Sequence, residues 1–234
     1  MTSGSGFSRH PPGRRLATRV KTAKGRSASS QRWLRRQIND PYVAEAKRRG
    51  YRSRAAFKLV EIDDRLNLLK PGQRVVDLGA APGGWSQIAV ERVKPDEGRS
   101  GQVIALDLID MAPIPGVTVL KADFLDAAAP GLVRRALGGA VDVVLSDMAP
   151  AATGHPDTDH LRILNLVEAA LHFAVEVLRP GGAFVTKLRQ GGGEPQLVDA
   201  ARRYFTAVRR LKPPASHAES AEFFLVATGF KGAG

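Results

Sequence analysis

Apolar residues along this chain follow two spacings that take turns: three to four apart, and short unbroken runs. Leu59, Ile62, Leu66 and Leu69 fall at i, i+3, i+7 and i+10, which predicts a helix from an N-cap at Ser53 to about Leu69. Pro71-Gly72 breaks the chain, and Val75, Val76 and Leu78 predict a first strand over Arg74–Leu78. A helix is expected from Trp85 to about Val93, then strands over Gln102–Leu108, Val117–Leu120 and Val141–Ser146. A long amphipathic helix, Leu161–Leu178, should close at Arg179-Pro180-Gly181-Gly182 before a fifth strand, Ala183–Leu188. One more helix to about Phe205 and two strands, Val208–Leu211 and Phe223–Thr228, joined by the Pro213–Ser220 loop, complete the pattern. Strands alternating with helices predict a doubly wound α/β sheet with helices on both faces. The chain shows no internal repeat.

The stretch R-V-V-D-L-G-A-A-P-G-G-W-S, Arg74 to Ser86, joins strand, glycine turn and helix start. Gly79, Gly83 and Gly84 allow close backbone approach and positive φ, as a nucleotide-type cofactor site requires. The spacing D-L-G-x-x-P-G-G is not the G-x-G-x-x-G of dinucleotide enzymes. Asp107 ends the second strand, where ribose hydroxyls of an adenosine-type ligand are held. Asp123, after the third strand, either accepts from an adenine amino group or caps a turn. Seven strands ending in a strand–loop–strand hairpin are the Rossmann-like pattern associated with S-adenosylmethionine-dependent methyltransferases.

Charge changes the picture at one end. The chain has 35 Lys and Arg against 23 Asp and Glu, a net of +12. Residues 1–54 carry 15 of those bases and two acids, Asp40 and Glu45, so the remainder is close to neutral. A basic arm on a neutral domain suggests a polyanionic partner, most simply nucleic acid. Residues 1–39 are therefore read as a basic, disordered extension and 40–234 as the enzyme domain. An acid-poor start also resembles a transit peptide, but Pro11, Pro12 and Gly13 interrupt any amphipathic helix there. Between Gln31 and Arg54, Trp33, Tyr42 and Tyr51 lie among eight bases; they either stack on unpaired nucleobases or dock the segment on the core. The absence of cysteine excludes disulfides and thiolate metal sites, and no apolar run is long enough to cross a membrane. No metal is expected.

Four ionisable residues stand at element ends: Lys58, Asp147, Lys187 and Glu222. Lys58 falls about 40° from Ile62 around its helix, near the apolar face, where a lysine usually snorkels from the edge of the stripe. Asp147 and Lys187 lie beyond the carboxyl ends of strands four and five, where open parallel sheets bind ligands. Methyl transfer from a sulfonium is an in-line displacement that needs an aligned, deprotonated oxygen and no metal. Lys187 can supply the base where partial burial and the nearby cation Lys58 favour its neutral form, with Asp147 and Glu222 orienting the lysines.

The segments R-S-R-A-A-F-K-L, D-L-G-A-A-P-G-G-W-S-Q, A-L-D-L, L-S-D-M-A-P, F-V-T-K-L-R-Q-G and S-A-E-F-F-L-V-A-T-G resemble the FtsJ (RrmJ, RlmE) family of RNA ribose 2′-O-methyltransferases. The likeness runs from about Asp40 to Gly229. It implies that Lys58, Asp147, Lys187 and Glu222 are the catalytic tetrad, with Lys187 the principal member. It further implies that Gly83, Trp85, Asp107, Asp123 and Asp147 bind S-adenosylmethionine. The bacterial branch methylates a uridine in the A-loop of 23S rRNA within the large ribosomal subunit, so that RNA, and neither DNA nor a membrane, is the expected partner of a cytoplasmic monomer. Residues 1–39 exceed the compact bacterial members. Another RNA, such as a tRNA anticodon loop, is the nearest alternative substrate; a ribosome-assembly factor that only binds rRNA is the alternative of another class. A base N-methyltransferase fits less well, because Asp147-Met148-Ala149-Pro150 lacks the N-P-P-Y type of grip on an exocyclic amine.

Overall fold

The structure is a computed structural model that describes residues 31, 34–35, 38–94, 101–150 and 153–232. The basic arm of residues 1–30 and Trp33 lie outside the described residues. Seven strands form one sheet in the order β3-β2-β1-β4-β5-β7-β6. In chain order they are β1 (Arg74–Leu78), β2 (Gln102–Asp107), β3 (Val117–Lys121), β4 (Val141–Ser146), β5 (Leu178–Arg189), β6 (Phe205–Leu211) and β7 (Glu222–Phe230). All neighbours are parallel except β7, which runs antiparallel to both β5 and β6. The helices are α1 (Pro41–Arg49), α2 (Ala56–Leu66), α3 (Gly84–Arg92), α4 (Ala129–Leu137), α5 (Pro156–Val177) and α6 (Glu194–Tyr204).

The central strands read as unbroken apolar runs because both faces are covered. Val75, Val103, Val143, Leu145, Val185 and Phe224 pack under α2 and α3. Their neighbours Val76, Ile104, Val144, Phe184 and Leu225 pack under α4, α5 and α6 on the other face. A strand buried on both sides has no polar alternation to show, as expected of parallel sheets.

Several boundaries differ from the sequence reading, for local reasons. Ser53 is not an N-cap: α2 starts at Ala56 after Ala55, and the carbonyl of Ser53, not its hydroxyl, accepts from Ala56 at 3.3 Å. The helix ends at Leu66, where Asn67 turns left-handed (φ 51°), so Leu69 is buried beyond the helix rather than on its stripe. Helix α4 adds an element to those that the sequence pattern predicts, because Pro130 and Gly131 look like a loop; proline is tolerated in a first helical turn, and Gly138 (φ 59°) closes the helix. The Pro180-Gly181-Gly182 stretch lies inside β5, in a register shift between Val141↔Leu178 and Val143↔Ala183. It is a bulge, not a connection. Helix α1 was read only as a mixed segment, yet Asp40 caps it by accepting from the Tyr42 N–H at 2.8 Å, and Gly50 (φ 74°) ends it. The tyrosines dock it: Tyr42 and Tyr51 pack on the Phe57 ring at 5.4 and 5.5 Å, and the Tyr42 hydroxyl donates to Glu61 at 3.0 Å.

Strand order reverses between β1 and β4, which opens a crevice beyond their carboxyl ends. There Leu78 pairs with Ser146, so the glycine turn after β1 and Asp147 after β4 leave the sheet side by side; the Asp147 N–H donates to Leu78 O at 3.2 Å.

Candidate active site

Two lysine–carboxylate pairs meet at this sheet end. Lys187, on β5, places Nζ 2.8 Å from Asp147 Oδ1 and donates to the Asp147 carbonyl at 2.8 Å. Lys58, on α2, is only 9% exposed and lies 2.6 Å from Glu222 Oε1, with its ammonium 5.5 Å from the centre of the Phe224 ring. Phe224 pairs with Lys187 across β5 and β7, so the two ion pairs flank one aromatic residue. The snorkelling alternative for Lys58 does not hold: its charge is turned inward to a partner. Burial is the largest single effect and pushes the Glu222 carboxyl up, but the Lys58 ammonium, the hydrogen bonds from Lys58 and Ser216 and the charge on Lys187 together outweigh it. The net effect holds Glu222 below the usual carboxylate range. All four tetrad positions are thus brought together.

The cofactor positions line the neighbouring crevice. Gly83 (φ 109°) immediately precedes α3, and a Cβ there would lie 2.6 Å from Ile114 Cδ1 and 2.9 Å from Met111 Sδ. Gly79 (φ 73°) is as constrained, since its Cβ would lie 2.8 Å from the Met148 Cα. Asp107, at the tip of β2, accepts from the Ala81 and Ile109 N–H groups at 2.8 and 2.9 Å, which fixes its carboxylate at the turn and leaves further lone pairs for ribose hydroxyls. Asp123 follows β3 and accepts from the Leu125 N–H at 2.9 Å through Oδ1 alone. The turn reading holds, since Oδ1 braces the chain two residues on. Leu108, Ile109 and Leu125 are exposed beside these acids, giving apolar surface of the kind an adenine ring covers. Trp85 differs from the rest. Its indole donates to Ala55 O at 2.9 Å and packs 5.6 Å from the Phe224 ring, so only its backbone N–H, in the first turn of α3, faces the turn. These residues suit an adenosine ligand carrying a charged sulfur.

Sequence reasoning missed three contributors. Arg52 donates to the carbonyls of Pro82, Ala112 and Pro113 (3.2, 2.6 and 2.7 Å), clamping the loop after β2 over the glycine turn. Arg52 was read only as one of the bases near a nucleic acid. Ser216 reaches Glu222, as developed below. Asp77, read only as the acid of the glycine motif, is fully buried, and its Oδ2 accepts from Ser86 Oγ at 2.6 Å. Burial pushes its carboxyl up to about 7 against the Ser86 hydrogen bonds, with the charges of Asp147 and Asp107 adding to the rise.

That rise gives a prediction. A carboxyl near 4 when unfolded and near 7 when folded stabilises the fold fully below about pH 4 and loses that contribution as pH climbs to about 7. Asp77→Asn, neutral throughout, should therefore gain in urea midpoint relative to the wild type between pH 4 and pH 7. A difference that stays constant across that range would contradict the buried proton.

Residues 51–230 match the FtsJ-like methyltransferase family. The chain belongs to that family. FtsJ-like enzymes use S-adenosylmethionine, and this chain is an S-adenosylmethionine-dependent methyltransferase. It is 59% identical to the ribosomal RNA large subunit methyltransferase E of Paramagnetospirillum magneticum, covering 99% of this chain and 94% of the relative. It is 58% identical to the protein of the same name from Parvibaculum lavamentivorans, over 94% of this chain and 89% of the relative. Among solved structures, a Plasmodium falciparum protein assigned as a ribosomal RNA methyltransferase superposes with a TM-score of 0.69 at 28% identity, covering 78% of this chain and all of the other. The FtsJ-like family is the one the motifs resemble, and the seven-stranded, mostly parallel sheet is the architecture expected of it.

Proposed function

We propose that this chain methylates the 2′-oxygen of a uridine ribose in 23S rRNA of the large ribosomal subunit. The observation that carries this is the convergence of Lys58–Glu222 and Lys187–Asp147 around Phe224, beside the glycine turn. The names of the relatives supply the large-subunit rRNA, and the motif resemblance supplies the uridine of the A-loop.

Gly83, the Trp85 N–H, Asp107 and Asp123 would hold S-adenosylmethionine, and Asp147 would face its sulfonium. When bound, it supplies a methyl group bonded to a positively charged sulfur. Lys187 Nζ would take the proton of the ribose 2′-hydroxyl, so that this oxygen can accept the methyl group that the bound cofactor would supply. Asp147, paired with Lys187 through Oδ1 and its carbonyl, aims that lysine at the mouth of the crevice. Lys58, fixed by Glu222, keeps a positive charge beside the oxygen that becomes anionic. Phe224 and Trp85 close the floor of the site to water.

The test is to incubate the enzyme with methyl-labelled cofactor and either total RNA or separated ribosomal subunits, then map the label. Label on a 2′-oxygen of 23S rRNA is expected; label on tRNA or on a base nitrogen would overturn the reading. Residues 1–30 carry seven Lys and Arg and no acid, so their removal should weaken RNA binding and flatten its dependence on salt. Binding measured from 50 to 200 mM salt checks this, and an unchanged slope would take the arm out of substrate binding.

A further inference from the structure

The connection between β6 and β7, residues 212–221, is held far more tightly than a hairpin turn needs. Ser216 is 6% exposed, and its hydroxyl donates to Glu222 Oε1 at 2.9 Å, the same oxygen that Lys58 meets at 2.6 Å. The residues on either side of Ser216 are clamped to α1, α2 and the turn between them. The Ala215 N–H donates to Glu61 at 2.7 Å, and Arg54 donates to the Ala215 carbonyl and approaches His217 Nε2 at 2.6 Å. Arg54 is itself ion-paired at 2.9 Å with Asp40, the cap of α1. On the far side, Lys212 donates to the carbonyls of Ala218 and Ser220 at 2.8 and 2.6 Å, and Ser220 Oγ accepts from the Glu222 N–H at 3.0 Å.

We propose that Ser216 is a positioning residue for methyl transfer, with the loop acting as a brace between α1, α2 and β7 that delivers its hydroxyl to Glu222. This rests on the reading of the tetrad given above. A glutamate held only by a lysine can rotate about three bonds and take the ammonium with it. A second donor on the same oxygen fixes the carboxylate in one rotamer, and so fixes Lys58 over Phe224. Lys58 and Glu222 come from helix and strand residues 164 positions apart, and the Ala215–Glu61 hydrogen bond adds a tie between that helix and the loop leading into the strand.

The charged groups around Glu222 are Lys58 on α2, Lys187 on β5 and Arg189, which pairs with Glu222 in the sheet register. Behind the loop stand Lys212 on one side and Arg54, Glu61, Asp40 and His217 on the other. A Ser216 substitution alters none of these residues, so wild type and variant differ in the hydroxyl alone. Removing the hydroxyl takes away a donor that favours the ionised carboxylate, so Glu222 should titrate at higher pH.

The experiment compares wild type, Ser216→Ala and Ser216→Thr in the full chain. Read out are kcat and KM on RNA, cofactor affinity, the pH–rate profile, and the Glu222 carboxyl titration by NMR of glutamate-labelled protein. Ser216→Ala should lower kcat about tenfold, leave cofactor affinity unchanged, and move both the acid limb and the Glu222 titration upward. Ser216→Thr, which retains the hydroxyl, should restore both. If Ser216→Ala leaves the Glu222 titration and kcat where they were, or if both variants lose activity equally through a lowered Tm, Ser216 is not a positioning residue. A wild type that transfers no methyl to RNA would instead overturn the reading of the tetrad, while the NMR titration would still judge the brace.

Discussion

Lys187→Ala should reduce methyl transfer by about a thousandfold or more while S-adenosylmethionine still binds within a few-fold of the wild type. The separation follows from where Lys187 sits. Among the described residues its ammonium meets Asp147, through Oδ1 and the carbonyl, while Asp107 and Asp123 are held by backbone N–H groups, so any loss of cofactor affinity is confined to the Asp147 contact and stays within a few-fold. Truncation also leaves the sheet intact, because Lys187 is at the carboxyl end of β5 and its backbone still pairs with Phe224. Cofactor titration by calorimetry and single-turnover transfer to ribosomal subunits give the two halves of the result. Turnover close to wild type would remove the lysine from proton transfer; a parallel collapse of cofactor affinity would make it a part of the binding crevice instead. Lys187→Arg should rescue little, since a guanidinium holds the charge but does not give up its proton near neutral pH.

What the sequence made legible divides along a physical line. The apolar runs of β1, β2 and β4 and the glycines between β1 and α3 are local, and a strand buried on both faces or a turn that excludes Cβ writes itself into the chain at that point. The parallel order of the sheet followed from alternation of elements. The misread boundaries are those where a residue has two uses. Pro180 and the glycines after it stop a helix or bulge a strand, and only the pairing of Val141 with Leu178 decides which. Pro130 opens α4 although it looks like a break. For the site, the residue types at element tips and the family motifs pointed to Lys58, Asp147, Lys187 and Glu222, while their pairing into two bridges is a property of the fold. Ser216 and Arg52 were invisible because their partners are 6 to 61 residues away and are carboxylate or backbone oxygens with no sequence signature. Several bases that swell the charge of residues 1–54 also have partners within the chain. Arg48 and Arg49 are paired with Glu45, and Arg52 and Arg54 are turned inward to carbonyls.

Glu222→Ala should be the most damaging single change to stability at the site, at about 3 kcal/mol, because it strands the Lys58 ammonium in an apolar pocket against Phe224. Both side chains are mostly shielded, so water cannot fully replace the lost partner. The double variant Lys58→Met with Glu222→Ala removes the second charge as well and fills the stem volume of the lysine with a flexible apolar chain. It should recover most of the lost stability, a gain in Tm of several degrees over Glu222→Ala, yet show no recovery of methyl transfer. The contrast matters because a buried ion pair by itself is weak support for stability: apolar replacements of similar volume are often as good. If the fold does as well without the pair, what keeps a lysine and a glutamate facing one another here is the reaction. A double variant that regained activity along with stability would reduce the Lys58–Glu222 bridge to scaffolding and leave Lys187 and Asp147 to account for the chemistry alone.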